Sequence, residues 1–380
     1  MQAFKKIFVT IKATLKCNLG CLYCYGRDNH ATAREMDDDE ICKALDFILE
    51  YAKLKKVEDV ILCWHGGEPF LLLQRMPLLL DYALDIFSHN GIKCSFVTQT
   101  NAVLLTPAIY DFISTYFNNE IGVSLDLYSD FRRFPNGKDS SELVIKNIDR
   151  ALEHGIKMGC INLITRHNLH KIQDIYQFYK ERHMNVRFAR VFPINNSCDQ
   201  SDPMYVTAQE FAGAMNEYFD LWANDPEPAH NTDIIHLIGD LLFGVPSICF
   251  RERNCTERYL ALSPGGDIFS CAEFDVPETV IGNFLTQSPQ DFITSDARNR
   301  IFNAAPIPEK CHTCRFEPIC HGACLRERYM LHYPFRCETN QLHWGHVTEW
   351  LEKRGAELYM LNGKSNEEIT SVMSRLFQTS

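Results

Sequence analysis

Three cysteines, Cys17, Cys21 and Cys24, stand at CxxxCxxC spacing on a loop that follows the apolar run Ile7 to Ile11. Three thiolates hold a four-iron cluster by three corners and leave one iron open to a ligand that is not protein. That open corner separates the triplet from a structural staple. A zinc knuckle is the competing reading, but zinc sites pair one CxxC with a second CxxC or a histidine pair, and the triplet has no such partner nearby. The later half of the chain carries Cys249, then Cys255 and Cys271 enclosing Gly266, then Cys311, Cys314, Cys320 and Cys324 at CxxCxxxxxCxxxC, then Cys337. Read by itself, the CxxC at Cys311 and Cys314 also suits zinc or a disulfide-rich module. Of the 16 cysteines, five remain. Cys42, Cys63, Cys94 and Cys160 lie in helical or strand patterns and read as small buried hydrophobes, and Cys198 lies in a polar loop. So many thiols in a chain without export signals argue for metal ligation, because disulfides are rare in a reducing compartment.

The stretch CNLGCLYCY resembles the signature of radical S-adenosylmethionine (radical SAM) enzymes. In that family the open iron chelates the methionine amino and carboxylate groups, and an electron from the cluster breaks a carbon–sulfur bond to release a 5'-deoxyadenosyl radical. A GGEP segment binds the SAM amino group there, a role the resemblance carries to Gly66, Gly67, Glu68 and Pro69. Gln99, Thr100 and Asn101, and Ser124, Leu125 and Asp126 with Arg133 following, resemble the QTN and SxD segments that line the SAM and substrate pocket of peptide-modifying members. Tyr23 joins the cofactor-binding set on the same resemblance, and Ile164 and Phe192 are positional candidates for adenosine contacts. Each polar residue taken singly also serves as a helix cap or turn; their shared position after strands lifts them above that.

The later cysteines resemble the SPASM domain, which carries two auxiliary four-iron clusters, with Cys249 as an eighth thiolate as in the anaerobic sulfatase-maturing branch. The resemblance implies one cluster on Cys249, Cys255, Cys271 and Cys324, and another on Cys311, Cys314, Cys320 and Cys337. With the first triplet that makes three [4Fe-4S] clusters and SAM as cofactors. Likeness to the sulfatase-maturing enzymes extends over nearly the whole chain, including Pro277, Glu278, Ile281, Gly282 and Asn283, and a tail from His343 to Met373 of helix, Asn362–Gly363 break and helix. Those enzymes oxidise a cysteine or serine of a bound sulfatase peptide to formylglycine. The chain departs from them at three places. Ala272 stands where they carry an aspartate proposed as the base, with Glu273 one step on; Gly26 follows Tyr25; and Leu127 replaces the glycine of SxDG. An alanine moves no proton, and a one-residue shift in an extended segment points a side chain the opposite way. Glu273 is therefore the candidate general base.

The function expected is hydrogen abstraction from a residue of a peptide or protein, with a two-electron oxidation that closes a cyclophane or thioether crosslink. Formylglycine formation and a non-enzymatic iron–sulfur electron carrier are the alternatives. A ribosomal precursor peptide is the expected class of substrate, and flavodoxin or ferredoxin the expected reductant. No winged peptide-binding domain precedes the first strand pattern, so the substrate is expected to dock at the barrel mouth or on the SPASM surface.

These residues need a frame to hold them. Strand-like segments at Lys6–Lys12, Val60–Trp64, Lys93–Gln99, Ile121–Leu125, Lys157–Ile164 and Asn185–Arg190 alternate with helical periods at Asp37–Leu54, Leu72–His89, Pro107–Tyr116, Ser141–His154 and Leu169–Arg182, with Gly155 as a helix stop. Such alternation predicts an α/β fold with a parallel sheet, curved into a partial (β/α)6 TIM-like barrel whose active site lies at the carboxyl ends of its strands. At 380 residues the chain exceeds one core. The expected division is a barrel over 1–235, a SPASM domain over 236–342 and a helical segment over 343–380. A formal charge of −11 argues against nucleic acid held by phosphate contacts. No stretch is apolar enough to span a membrane, and the absence of a signal peptide pattern predicts a cytoplasmic protein. Arg251, Arg253, Arg258, Arg326 and Arg328 gather in the cysteine-rich half and read as charge compensation for thiolates rather than a docking patch.

Overall fold

The computed structural model describes residues 5–24, 33–192, 201–246, 249–253, 255–274 and 276–354. Along the chain run β1 (Lys6–Thr14), α1 (Asp38–Lys55), β2 (Asp59–Gly66), α2 (Met76–His89), β3 (Lys93–Thr100), α3 (Tyr110–Phe117), β4 (Glu120–Ser124) and α4 (Ser141–Glu153). Then follow β5 (Lys157–Ile164), α5 (Ile172–Glu181), β6 (Asn185–Arg190), α6 (Ala208–Asn224), α7 (Thr232–Phe243), β7 (Tyr259–Leu262), β8 (Asp267–Phe269) and β9 (Val280–Asn283). The last are α8 (Pro289–Thr294), α9 (Ala297–Asn303), α10 (Glu317–Cys320), α11 (Leu325–Leu331) and α12 (Cys337–Lys353).

Residues group into two compact units, one of Met1–Leu125, Asp130–Met158 and Asn254–Ala304, the other of Asp126–Ser129, Gly159–Arg253 and Ala305–Ser380. In the first unit β4, β3, β2, β1, β7, β8 and β9 hydrogen-bond in that order. Pairing is parallel as far as β7 and antiparallel across β7, β8 and β9. β1 is buried on both faces, with Val9, Ile11 and Ala13 on one and Thr10, Lys12 and Thr14 on the other, the condition that favours a near-continuous apolar strand. Phe47 and Tyr51 of α1 pack on Phe292 at ring separations of 5.6 and 5.9 Å, and Arg298 donates to the Tyr51 hydroxyl at 3.1 Å. In the second unit β5 and β6 pair in parallel, and Phe219 of α6 meets His343, His346 and Trp350 of α12 edge-on.

The expected α/β class and the strand–helix alternation are observed, with shifts at the ends. The helix expected from Leu72 starts at Met76, because Pro69–Leu72 forms a 3-10 turn that Glu68 caps by accepting from the Phe70 N–H. Similarly, Pro107–Ile109 is a 3-10 turn and α3 begins at Tyr110. Gly155 has φ +82°, just after the end of α4. α12 opens at Cys337, six residues ahead of the expected His343. The Asn362–Gly363 break and the second tail helix lie outside the described residues, as do Tyr25, Gly26 and Cys198.

Candidate cluster and SAM site

Where β1 ends its ladder with β2, the register slips between Lys12 and Thr14, and the chain leaves the sheet as the loop of Cys17, Cys21 and Cys24. Backbone holds this loop from two sides. On one, Gly67 N–H donates to Thr14 O and Glu68 N–H to Lys16 O, both at 2.8 Å; on the other, Gly20 N–H donates to Arg133 O at 2.7 Å and Leu22 N–H to Phe131 O at 2.9 Å. The first approach demands glycine. A Cβ on Gly66 would fall 2.1 Å from Thr14 O and one on Gly67 1.9 Å from Lys16 O, and Gly66 has φ +128°.

The thiols converge electrostatically. Burial pushes the Cys17 thiol up to about 11; the Leu19 N–H opposes this, while Glu68, Cys21 and Cys24 raise it further. Leu19 N–H donates to the Cys17 sulfur at 3.5 Å, and the Asn101 amide nitrogen lies 3.7 Å from that sulfur while donating to Asn18 Oδ1 at 2.6 Å. A buried Cys17 thiol with Cys21 and Cys24 beside it fits a metal centre, whose binding deprotonates its thiol ligands. Three cysteines and no fourth on this loop fit a cluster with one open iron.

Glu68 does its work from within. It is fully buried, and its oxygens accept from Phe70 N–H at 3.0 Å, the Thr100 hydroxyl at 2.8 Å and Asn101 N–H at 2.8 Å. Burial pushes its carboxyl up, and the Asn101 and Phe70 N–H groups, the Thr100 hydroxyl and Arg132 pull it back. The carboxylate thus ties the turn after β2 to the end of β3 and sets Asn101 against the cluster loop. Arg132, which sequence reasoning passed over for its neighbour, donates to the Tyr23 hydroxyl at 2.8 Å. Arg133 itself binds Asp130, through its backbone oxygen at 2.6 Å and its side chain. Gln99 donates to the Ser124 hydroxyl at 2.9 Å across β3 and β4. Asp126, in the second unit, is buried and accepts from Leu163 N–H at 2.9 Å. Leu127 beside it is buried too, its N–H on Asn162 and its oxygen on Asn168. Pro69 is buried at the head of its 3-10 turn. Ile164 is fully buried, and Phe192 lies under the Arg326 guanidinium at 3.7 Å.

Lys12 and His65 were not foreseen as a pair, because only strand register brings them together. Lys12 is 1% exposed. The His65 Nδ1 accepts from Gly66 N–H at 2.7 Å, which leaves the ring proton to Nε2. Burial lowers His65 to about 4, the Lys12 charge adds to this, and Glu273 acts against both. Glu273 is therefore within electrostatic reach of the carboxyl end of β2. Its side chain is exposed and its N–H donates to the Cys271 sulfur at 3.4 Å.

Cys255 opens a short 3-10 turn before β7, and Cys271 follows β8. Gly265 and Gly266, at φ +91° and +89°, make the hairpin between those strands. In the second unit Cys311, Cys314, Cys320 and Cys337 line a single cavity. Burial raises Cys311, with Cys337 and Cys314 adding to it, and Lys310 and Arg328 opposing. Burial pushes Cys320 up to about 11, and Cys337 and Cys311 again contribute. Four thiols facing one cavity fit a closed cluster. Among the described residues no three His, Cys, Asp or Glu side chains gather tightly enough for one metal ion; a four-iron cube gives each thiolate an iron of its own and takes a wider cage. Cys249 and Cys324 also belong to the second unit, whereas Cys255 and Cys271 belong to the first. Of the gathered arginines, Arg251 is ion-paired with Asp240, Arg253 with Glu317 at 3.3 Å, and Arg328 donates to the carbonyls of Ala305, Gly322 and Ala323. None of the described cysteines is in a disulfide; Cys63 and Cys160 are buried, Cys42 and Cys94 half-buried. No helix among the described residues is long and apolar enough to cross a membrane.

Residues 11–179 match the Radical SAM superfamily. The chain is 24% identical to the serine-type anaerobic sulfatase-maturating enzyme of Bacteroides thetaiotaomicron, over 86% of its own length and 84% of the relative's. Its fold is similar to that of native anSMEcpe with bound AdoMet and Cp18Cys peptide, at 18% identity and a TM-score of 0.79 over 92% of this chain and 99% of that one. It is also similar to Streptococcus suis SuiB bound to precursor peptide SuiA, at 18% identity and a TM-score of 0.61 over 89% and 76%. Residues 11–179 thus carry a radical SAM domain, and the chain shares the fold of these solved structures.

Proposed function

We propose that this radical SAM enzyme oxidises a residue of a peptide or protein and closes a crosslink, a cyclophane or thioether, with loss of a hydrogen pair. The observation that carries the reading is the loop of Cys17, Cys21 and Cys24, clamped by the backbone of Gly67 and Glu68 on one side and Phe131–Arg133 on the other. A [4Fe-4S] cluster there, with SAM on its open iron, supplies the 5'-deoxyadenosyl radical. Gly66, Gly67 and Pro69 frame the methionine end, and Glu68 acts at one remove by holding Asn101. Tyr23, Gln99, Ser124, Asp126 and Arg133 complete the cofactor pocket. Cys311, Cys314, Cys320 and Cys337 hold one auxiliary cluster, and Cys249, Cys255, Cys271 and Cys324 the other, within a SPASM domain over 236–342. Glu273 takes the proton. Its nearness to His65 at the end of β2 supports that role, and Ala272 in place of an aspartate favours a crosslink over formylglycine. The peptides in the solved SuiB and anSMEcpe complexes support a peptide substrate, precursor peptides included; a flavodoxin or ferredoxin of the cytoplasm supplies electrons.

The test incubates the anaerobically reconstituted protein with SAM, a reductant and candidate peptides, among them one containing CxPxR. Loss of a hydrogen pair without reaction toward an aldehyde reagent supports the crosslink; aldehyde reactivity assigns formylglycine instead and overturns it. Glu273→Gln is expected to keep 5'-deoxyadenosine formation and suppress product. Unchanged turnover removes Glu273 from the mechanism.

A further inference from the structure

The cavity of Cys311, Cys314, Cys320 and Cys337 shares a wall with a second opening. A groove of about 480 Å³ lies beside it, and Lys310, Pro334 and Cys337 line both. Every residue lining the groove belongs to the second unit. Its cations are Arg166, Arg190 and Lys310, against one carboxylate, Glu338, which already accepts from Gln209. Arg190 is held in place: its guanidinium stacks on Phe335 at 3.7 Å and donates to the Phe335 carbonyl. Arg166 lies 3.5 Å from Glu210, both about one-third exposed, a geometry that water screens and a stronger anion can compete with. In a chain of net charge −11, three cations against one carboxylate in the lining run against the overall field and mark a place for negative charge.

What sits in this groove lies one side chain away from a cluster thiolate. A cluster ligated by four cysteines has no open iron, so it offers a neighbour nothing but an electron. Turnover, under the function proposed above, consumes one electron as SAM is cleaved and releases one electron and one proton as the crosslink closes. A one-electron carrier therefore serves both as donor and as acceptor. Resting on that reading, we propose that the groove lined by Arg166, Arg190 and Lys310 docks an acidic one-electron carrier protein of the flavodoxin or ferredoxin kind, with Cys337 as the nearest cluster ligand. Small, salt-sensitive contacts are the usual form of redox encounters.

The test titrates the reconstituted enzyme with an oxidised flavodoxin and with a ferredoxin at low and at physiological salt, then repeats it with Arg166→Glu and Lys310→Glu. Thermal unfolding and iron content serve as fold controls. The expected result is a Kd for the carrier weakened about tenfold or more by each reversal, with a flatter salt dependence and unchanged affinity for the substrate peptide. Three results overturn the inference: no binding of either carrier by the unaltered enzyme, reversals without effect on carrier binding, or reversals that weaken peptide binding instead. Iron analysis of Cys311→Ala with Cys314→Ala separates the two levels. If iron per chain does not fall, the auxiliary site is misassigned, whereas the charge reversals judge the groove.

Discussion

Close approach of backbone to backbone is the residue-scale device at this site. Gly67 has Lys16 O where its Cβ would be, at 1.9 Å, far inside any van der Waals contact. Gly67→Ala is expected to push the turn after β2 away from the cluster loop, leaving a chain that folds but binds about four fewer irons and cleaves little SAM. Full iron content in that variant would show that the loop tolerates the displacement. Much of this was legible from sequence: the cysteine spacing and the Gly-Gly pair are local patterns with local causes. Lys12 and His65 were not. They are 53 residues apart, and their adjacency is a matter of strand register. Arg132 was hidden for another reason. Which of two neighbouring arginines turns toward Tyr23 depends on the backbone that Gly20 and Leu22 pair with, and composition carries no trace of it.

At the scale of elements, β1 and β2 position the cluster loop and α6 and α12 brace the second unit. The Nδ1–H of His343 in α12 donates to Asn216 Oδ1 of α6 at 2.8 Å, which places the ring proton on Nδ1. Burial, then the charges of His346 and Arg251, hold it down to about 3 against an ordinary 6.5. Folded protein thus refuses a proton that the unfolded chain takes up once pH falls below about 6.5. Stability is lost as pH drops through that value toward 3, and is complete above it. His343→Gln keeps a donor for Asn216 and cannot titrate, so its urea-unfolding free energy is expected to fall less between pH 7 and pH 5 than that of the unaltered chain. Equal slopes would place the acid sensitivity elsewhere. Strand positions were readable because alternation and apolar runs set them directly. Helix starts slipped at Met76 and Tyr110 because Pro69 and Pro107 open 3-10 turns first, and at Cys337 because a cysteine carries no start signal.

Across the whole molecule, eleven cysteines fall into sets that spacing alone does not group and that the family resemblance does. Cys311, Cys314, Cys320 and Cys337 face one cavity because α12 begins at Cys337 and returns that thiol to the others. Charge behaves likewise. The net −11 argues against a phosphate-binding surface, yet the average conceals the cationic groove beside Cys337. The central claim is an incompletely ligated four-iron cluster on Cys17, Cys21 and Cys24. Its most direct test is iron and 5'-deoxyadenosine measured together, after anaerobic reconstitution and reduction in the presence of SAM, for the chain and for the variant with all three cysteines changed to alanine. The account predicts about twelve irons and nucleoside release from the former, and about eight irons with none from the latter. A variant that still releases 5'-deoxyadenosine, or that keeps every iron, would contradict it.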